Sequence, residues 1–169
     1  TAHTIRVTFA INVYTISASA GANGSISPTG AVSVNHGSNQ TFNFTPSTGY
    51  HVDSLIVDGV NQAAAATHTF PNVPPPHTIR VTFAINVYTI TASAGANGSI
   101  APSASVRVSQ GSTQTVNFTP STGYHVDSVI VDGVNQSVSS SYTFTNVTMV
   151  HTIRVTFAIN VYMITASAG

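Results

Sequence analysis

The sequence predicts an all-β protein built from small tandem modules with a period of 74 residues. An 18-residue stretch without glycine or proline occurs three times, at His3–Ala20, His77–Ala94 and His151–Ala168. Apolar and polar side chains alternate within it, as in a half-buried strand. Asn-Gly and Asp-Gly pairs, which favour tight hairpins, recur between the other apolar runs. No segment has a convincing helical apolar period, so the strand pattern decides the fold class.

The repeated stretch changes its apolar side midway. Ile79, Val81 and Phe83 have one parity, whereas Tyr88 and Ile90 have the opposite one. Successive side chains of a strand point to opposite faces, so this change predicts a strand that serves two cores in turn. We expect the closing strand of one module to continue without a linker into the first strand of the next, which makes the array stiff.

The period divides the chain into four parts. Residues 1–12 are predicted to be the closing strand of a preceding repeat, 13–86 module 1, 87–160 module 2, and 161–169 the opening strand of a following repeat. The two modules share 53 of 74 positions without insertion. The end segments are expected either to complete modules in adjacent chains by strand addition or to belong to a longer chain. The second explanation is favoured.

Each module is predicted to contain six or seven short strands. In module 1, Asn23-Gly24 and Asp58-Gly59 are expected to be hairpin turns. Phe42 and Phe44 share one strand face and are expected to form an aromatic core. Most differences between the modules fall in 27–39 and 63–76 and their copies, which predicts exposed loops there.

Two further expectations concern the order of strands in the sheet. Val52–Val57 is the most apolar run and is predicted to be the central strand. Arg80 and its copies Arg6 and Arg154 are predicted to point outward from an edge strand, where charge discourages pairing with other sheets.

Composition excludes several classes of function. The chain has four arginines, four aspartates, no net charge, and no lysine, glutamate or cysteine. It offers no basic patch for nucleic acid or anionic lipid, no disulfide framework, and no apolar run long enough for membrane insertion. Strand faces of Thr, Ser and Asn are typical of extracellular β proteins.

Few residues are available for chemistry. His51 and Asp53 are two potential metal ligands, but a zinc site needs three or four. Asp58 with Asn61 is a weak calcium site. No nucleophile motif or phosphate-binding loop is present. The sequence therefore predicts no enzyme activity, no catalytic residue, no cofactor and no metal site.

Four aromatic residues are candidates for ligand contact: Tyr50, His51, Tyr124 and His125. A tyrosine beside glycine has the flat face that stacks on a sugar ring. A packing role for these tyrosines is the favoured alternative.

Three segments, in their order along the chain, resemble the divergent internalin B-repeat family of bacterial surface and secreted proteins. They read YTITASAGANGSI, QTVNFTPSTGYHVDSVIVDG and SYTFTNVTMVHTIRVTF. The most recognisable parts are Gly95–Ile100, Thr119–Tyr124, Val131-Asp132-Gly133 and Thr152–Phe157. The resemblance implies a tandem extracellular β module, often found in long stalks, and related repeats have a β-grasp-like fold. A small sandwich and a β-grasp-like module both remain open.

The expected function is that of a structural, non-catalytic tandem repeat in an extracellular bacterial stalk, adhesin or filament. Its expected partners are neighbouring repeats or copies of itself. The alternative is a module that binds glycans or a host surface through its variable loops.

Overall fold

The computed structural model describes residues 2–73 and 75–167. The chain divides into two compact units, Thr1–Ile85 and Asn86–Gly169. The described residues of each unit form eight β-strands, slightly more than predicted, and no helix. No helix that could cross a membrane occurs in the described part of the chain.

Module 1 consists of two sheets. A five-stranded sheet has the order β3-β1-β8-β5-β6, and a three-stranded sheet has the order β2-β4-β7. The strands are β1 (Val13–Ala20), β2 (Gly24–Ser27), β3 (Gly30–Asn35), β4 (Gln40–Pro46), β5 (Tyr50–Val57), β6 (Val60–Gln62), β7 (Thr67–Phe70) and β8 (His77–Ile85).

Module 2 repeats this arrangement, with sheet orders β11-β9-β16-β13-β14 and β10-β12-β15. Its strands are β9 (Val87–Ala94), β10 (Gly98–Ala101), β11 (Ala104–Ser109), β12 (Gln114–Pro120), β13 (Tyr124–Val131), β14 (Val134–Gln136), β15 (Ser141–Phe144) and β16 (His151–Ile159).

The core of module 1 lies between its two sheets. Ile16, Leu55 and Val81 of the five-stranded sheet belong to one buried cluster with Phe42 and Phe44 of the three-stranded sheet. The aromatic core predicted from the sequence is thereby confirmed. Two sheets enclosing one apolar layer form a sandwich, which is one of the two alternatives that the sequence left open.

The last strand of each module occupies the middle of its five-stranded sheet. We call β8 and β16 the closing strands. β8 pairs in parallel with β1 on one side and antiparallel with β5 on the other. β5, which contains Val52–Val57, is an interior strand as expected, but the middle position belongs to β8, and the predicted edge position of Arg80 is wrong. Arg80 does point outward, because it alternates with buried Ile79 and Val81.

Asp58-Gly59 forms the predicted hairpin turn between β5 and β6. Asn23-Gly24 is a turn between β1 and β2, which belong to different sheets, so the hairpin predicted there is wrong. Asn23 has φ 66°, and Asp58 and Gly59 have φ 51° and 78°. Gly24 is required for space: a Cβ on Gly24 would lie 2.4 Å from the ring of Phe83. The ring of Phe83 in the closing strand therefore packs directly on Gly24. We call this contact, and its copy between Phe157 and Gly98, the glycine seat.

The change of apolar side along the repeated stretch is confirmed. Phe83 packs against the core of module 1, whereas Tyr88 packs against the core of module 2. The strand itself is interrupted by one residue, since β8 ends at Ile85 and β9 begins at Val87. Asn86 lies between them, so no longer linker separates the two strands.

The segments predicted to belong to neighbouring repeats form no strand where they are described, at 2–12 and 161–167. Their apolar side chains are exposed, including Phe9 and Ile164. Thr1, Ala168 and Gly169 lie outside the described residues, as does Pro74. The assignment of these segments to other repeats stays a prediction.

Candidate functional site

The four candidate ligand-contact residues lie at equivalent places in the two modules. Tyr50 and His51 begin β5 and pair with Ile85 and Ala84 of the closing strand. Tyr124 and His125 begin β13 in the same way. Both tyrosines are half-buried and both histidines are exposed. Their proposed contact with a ligand stays a prediction.

His125 has a structural partner within its module. Its Nδ1 lies 2.9 Å from Oδ1 of Asn160, the residue that follows β16. The N–H of Asn160 also donates to the carbonyl of Gly123 at 2.8 Å. These two hydrogen bonds attach the end of the closing strand to the loop and strand beside it.

A β-bulge determines the surroundings of Asp53. The register between β5 and β8 shifts between Val52 and Ser54. As a result, Ser54 Oγ lies 2.8 Å from Thr82 Oγ1, and that hydroxyl donates to Asp53 Oδ2 at 3.2 Å. A bulge places two residues opposite one, which explains why both side chains reach the same threonine. No group of three potential metal ligands occurs among the described residues.

The best-defined polar site lies where the closing strand begins. His77 Nδ1 lies 2.7 Å from Asp58 Oδ2. The N–H of Thr78 donates to Asp58 Oδ1 at 2.7 Å, and the N–H of Asp58 donates to the carbonyl of Thr78 at 3.0 Å. A carboxylate only accepts hydrogen bonds, so His77 donates from Nδ1. We call this set of contacts the aspartate clamp.

The aspartate clamp recurs in module 2 with nearly the same geometry. Asp132 Oδ2 lies 2.7 Å from His151 Nδ1, and Asp132 Oδ1 accepts from the N–H of Thr152 at 2.7 Å. The histidine ring in each module also lies against a core phenylalanine, with centroids 4.7 Å apart for Phe70 and His77. Each histidine is therefore held by a carboxylate and by an aromatic ring.

The clamp lowers the pKa of its carboxyl group. Burial is the largest influence on Asp58 and would by itself raise the pKa. The hydrogen bonds from Thr78 and His77, with the charge of a protonated His77, outweigh burial and hold the pKa below 3.8. Asp132 shows the same balance, with His151 as the largest lowering influence.

The clamp was missed in the sequence because its members lie 19 residues apart. The sequence presents Asp58 only as a weak calcium ligand with Asn61, and His77 only as the first residue of the repeated stretch. One signal could have revealed it: Asp-Gly turns and His-Thr pairs recur together at the same spacing in both modules.

The clamp and the glycine seat connect the β5–β6 hairpin and β2 to one closing strand, twice in the same chain. The family model of the divergent InlB B-repeat domain matches residues 14–86 and 88–161. The chain belongs to this family. The match spans both sandwiches and includes each clamp. Comparison with curated protein sequences and with solved structures gave no match.

Divergent InlB B-repeats typically occur in bacterial surface proteins and are generally non-catalytic. The contacts described above agree with a repeat whose polar residues serve its own fold. The clamp uses both oxygens of Asp58 on its own closing strand. Thr82 likewise connects Asp53 and Ser54 within one module.

Proposed function

We propose that this chain is a structural, non-catalytic part of an extracellular bacterial stalk, adhesin or filament. The observation that carries the proposal is the join between the modules. Two complete sandwiches follow one another with only Asn86 between the last strand of the first and the first strand of the second. Repeats joined in this way extend a chain by a fixed unit.

The surface chemistry supports the same role. The described residues bury no polar or charged side chain, and the exposed positions of the strands are largely Thr, Ser and Asn. Such a surface has little charge to attract nucleic acid or anionic membranes. It suits a protein whose task is to span distance outside the cell.

Immunogold labelling of intact source cells, with antibodies raised against the two-module chain, tests the location. Label on surface extensions supports the proposal, and label confined to the cell interior contradicts it. Antibody pre-absorbed with the purified chain is the control. Electron microscopy of the native protein should also show features repeating at the spacing of one module.

The alternative function is binding of glycans or a host surface through the variable loops. A glycan array probed with the chain and with a Y50A/Y124A variant distinguishes the two functions. Binding lost in the variant would support the alternative. A matched variant replaces Ala63–Ala66 with the Ser-Val-Ser-Ser sequence of Ser137–Ser140. This changes the side chains of the loop to a sequence that module 2 already carries at the same position. Absence of binding in all three proteins favours the structural role.

A further inference from the structure

Two of the thirteen asparagines in the chain, Asn23 and Asn97, precede a glycine. An asparagine before glycine is prone to deamidation, because glycine has no side chain that keeps its backbone nitrogen away from the asparagine amide. Each of the other asparagines is followed by Val, His, Gln or Phe. The most reactive asparagine of each module is therefore expected at the same turn.

The fold restricts both residues of this pair. Asn23 and Asn97 have φ 66° and 67°, a conformation that suits glycine, asparagine and aspartate but is costly for most other residues. Gly24 and Gly98 lie under the phenylalanine rings of the two glycine seats, where a Cβ would approach the ring to 2.4 and 2.3 Å. The turn and the packing of the closing strand thus exclude the bulkier residues that would slow the reaction.

Among the described residues, the backbone N–H of Gly24 has no hydrogen-bond partner in its sheet. β2 is an edge strand of the three-stranded sheet, and Gly24 lies opposite Pro46 of β4. The N–H of Ser47 donates to the carbonyl of Asn23 at 3.0 Å. In an antiparallel ladder this bond flanks a pair without mutual hydrogen bonds, so the Gly24 N–H points away from β4. Module 2 repeats this arrangement around Gly98.

The side-chain amides of Asn23 and Asn97 are also available. Both residues are exposed, and within the described part of the chain neither amide has a hydrogen-bond partner. The Asp-Gly turns differ, because Asp58 and Asp132 each accept hydrogen bonds at both carboxylate oxygens. An ionised carboxylate is also a poorer electrophile than an amide. The asparagine turn is therefore the more reactive of the two turns in each module.

We propose that Asn23 and Asn97 are sites of spontaneous deamidation, and that conversion to isoaspartate releases the closing strand from its glycine seat. The nitrogen of the following glycine loses its proton and attacks Cγ of the asparagine. A bond forms between that nitrogen and Cγ, the bond between Cγ and Nδ2 breaks, and ammonia leaves with the proton. Water then opens the five-membered succinimide at one of its two carbonyls, which gives aspartate or isoaspartate.

The two products have different effects on the backbone. Isoaspartate lengthens the main chain, because the Cβ of the former asparagine becomes part of it, whereas aspartate leaves the main chain as it was. Gly24 and Gly98 are the first residues of β2 and β10, so the added methylene moves each glycine relative to the phenylalanine ring that packs on it. The hydrogen bond from Ser47 restrains the peptide before Gly24, so ring closure needs a local opening of the turn.

The test incubates the purified full chain in mildly alkaline buffer, in which the glycine nitrogen loses its proton more readily. Mass spectrometry of proteolytic peptides measures deamidation at each asparagine and separates isoaspartate from aspartate. We expect Asn23 and Asn97 to be converted several times faster than Asn43 and Asn117, which lie in strands and precede phenylalanine. Equal rates at these four asparagines overturn the proposal.

Hydrogen exchange measures the effect on the closing strands. In the fraction enriched in isoaspartate, the amide hydrogens of β8 and β16 should exchange faster than in fresh protein. N23G/N97G is the matched control, since glycine adopts the same φ and has no amide to react. Its closing strands should exchange equally before and after the same incubation. Unchanged exchange in the isoaspartate fraction overturns the proposal, as does an equal acceleration in the control.

A second variant separates the added charge from the added methylene. N23D/N97D, measured before any incubation, carries the negative charge of the products on a backbone of normal length. Its closing strands should exchange at the rate of the fresh parent. Exchange as fast as in the isoaspartate fraction would overturn the proposed release from the glycine seat, because charge alone would then account for it.

Discussion

The two modules have the same fold, but different side chains occupy one cross-strand pair of the smaller sheet. In module 1, Phe42 of β4 lies opposite His68 of β7. In module 2, Val116 of β12 lies opposite Tyr142 of β15. Phe42 and Val116 are both fully buried, and Tyr142 packs against the core of its module. The larger aromatic side chain has moved from one strand of the pair to the other.

A second core position differs in the same direction. Leu55 of module 1 is replaced by Val129 in module 2, and both are 1% exposed. Near the end of the same strand, Val131 is buried whereas its counterpart Val57 is only partly buried. The smaller residues of module 2 are accompanied by deeper burial of a neighbour, a redistribution that cores commonly tolerate.

The contacts of the closing strand show no such variation. The aspartate clamp has the same 2.7 Å distances in both modules, and the glycine seat differs by 0.1 Å in its closest approach. Many side chains together fill the volume of the core, so a change in one can be compensated by another. A hydrogen bond, or a phenylalanine ring packed on a glycine, depends on two particular residues. The comparison therefore indicates that the core tolerates substitutions, whereas the contacts that attach the closing strand do not.

The glycine seat should give the largest effect. Gly98→Ala places a methyl group within 2.3 Å of the Phe157 ring, and overpacking of this kind should lower the free energy of unfolding of module 2 by about 3 kcal/mol. Gly95→Ala is the matched control, because its Cβ meets nothing closer than 3.6 Å. Urea unfolding with hydrogen exchange of β9 and β16 measures both. Equal losses in the two variants would contradict an intolerant seat.

The next largest loss of stability should come from a change in the cross-strand pair of Phe42 and His68. Phe42→Val removes buried volume from module 1 and should cost about 2 kcal/mol, between the usual losses for a methylene and for a whole ring. Adding His68→Tyr recreates the pair of module 2 and should recover part of that loss. Thermal unfolding of the single and double variants measures the recovery. A double variant less stable than Phe42→Val would show that the two residues do not compensate each other.

The aspartate clamp should contribute a smaller, pH-dependent amount. The carboxyl group of Asp132 is partly exposed, so Asp132→Asn should cost about 1 kcal/mol or less near neutral pH. Its folded-state pKa lies below 3.8, so the contribution is present above about pH 4 and disappears as the pH falls through that lower pKa. The stability difference between parent and variant, measured by urea unfolding from pH 5 to pH 2, should shrink. A constant difference over this range would contradict the clamp.

The smallest effect should come from an exposed threonine pair. Thr41 and Thr69 have their hydroxyl oxygens 2.8 Å apart, and the equivalent pair in module 2 lies at 3.0 Å. Thr69→Ala and Thr143→Ala should each cost about 0.5 kcal/mol, as is usual for cross-strand pairs. Because the geometry is shared, the two losses should agree. Thermal unfolding that shows a clear difference between them would indicate that their surroundings differ more than their distances do.

Local features of the fold could be predicted from the sequence because they depend on neighbouring residues. The alternation in Gln40–Pro46 placed Phe42 and Phe44 on the core side, and the Asp58-Gly59 pair indicated a hairpin turn. The apolar side chains also change from odd to even positions across Asn86, which indicated that the strands on either side of it face different cores. Each feature follows from the period of a strand or the φ preference of a turn.

Features that depend on distant pairing could not be predicted in this way. The parallel register between Ile16 and His77 joins residues far apart in the chain, and no local pattern specifies it. The middle position of the closing strand follows from that pairing, so the outward Arg80 was misplaced on an edge. The partner of Asp58 was missed for the same reason.

The middle position of β8 also has a consequence during synthesis. Residues are made from the N-terminus onward, so β1 to β7 leave the ribosome before the strand that joins β1 to β5 exists. Until His77–Ile85 emerges, the nascent module has two separate edges at the centre of its future sheet, and such edges pair readily with foreign strands. In a tandem array the copies of HTIRVTFAIN are identical, so the sequence of this strand does not by itself distinguish the module that each copy completes.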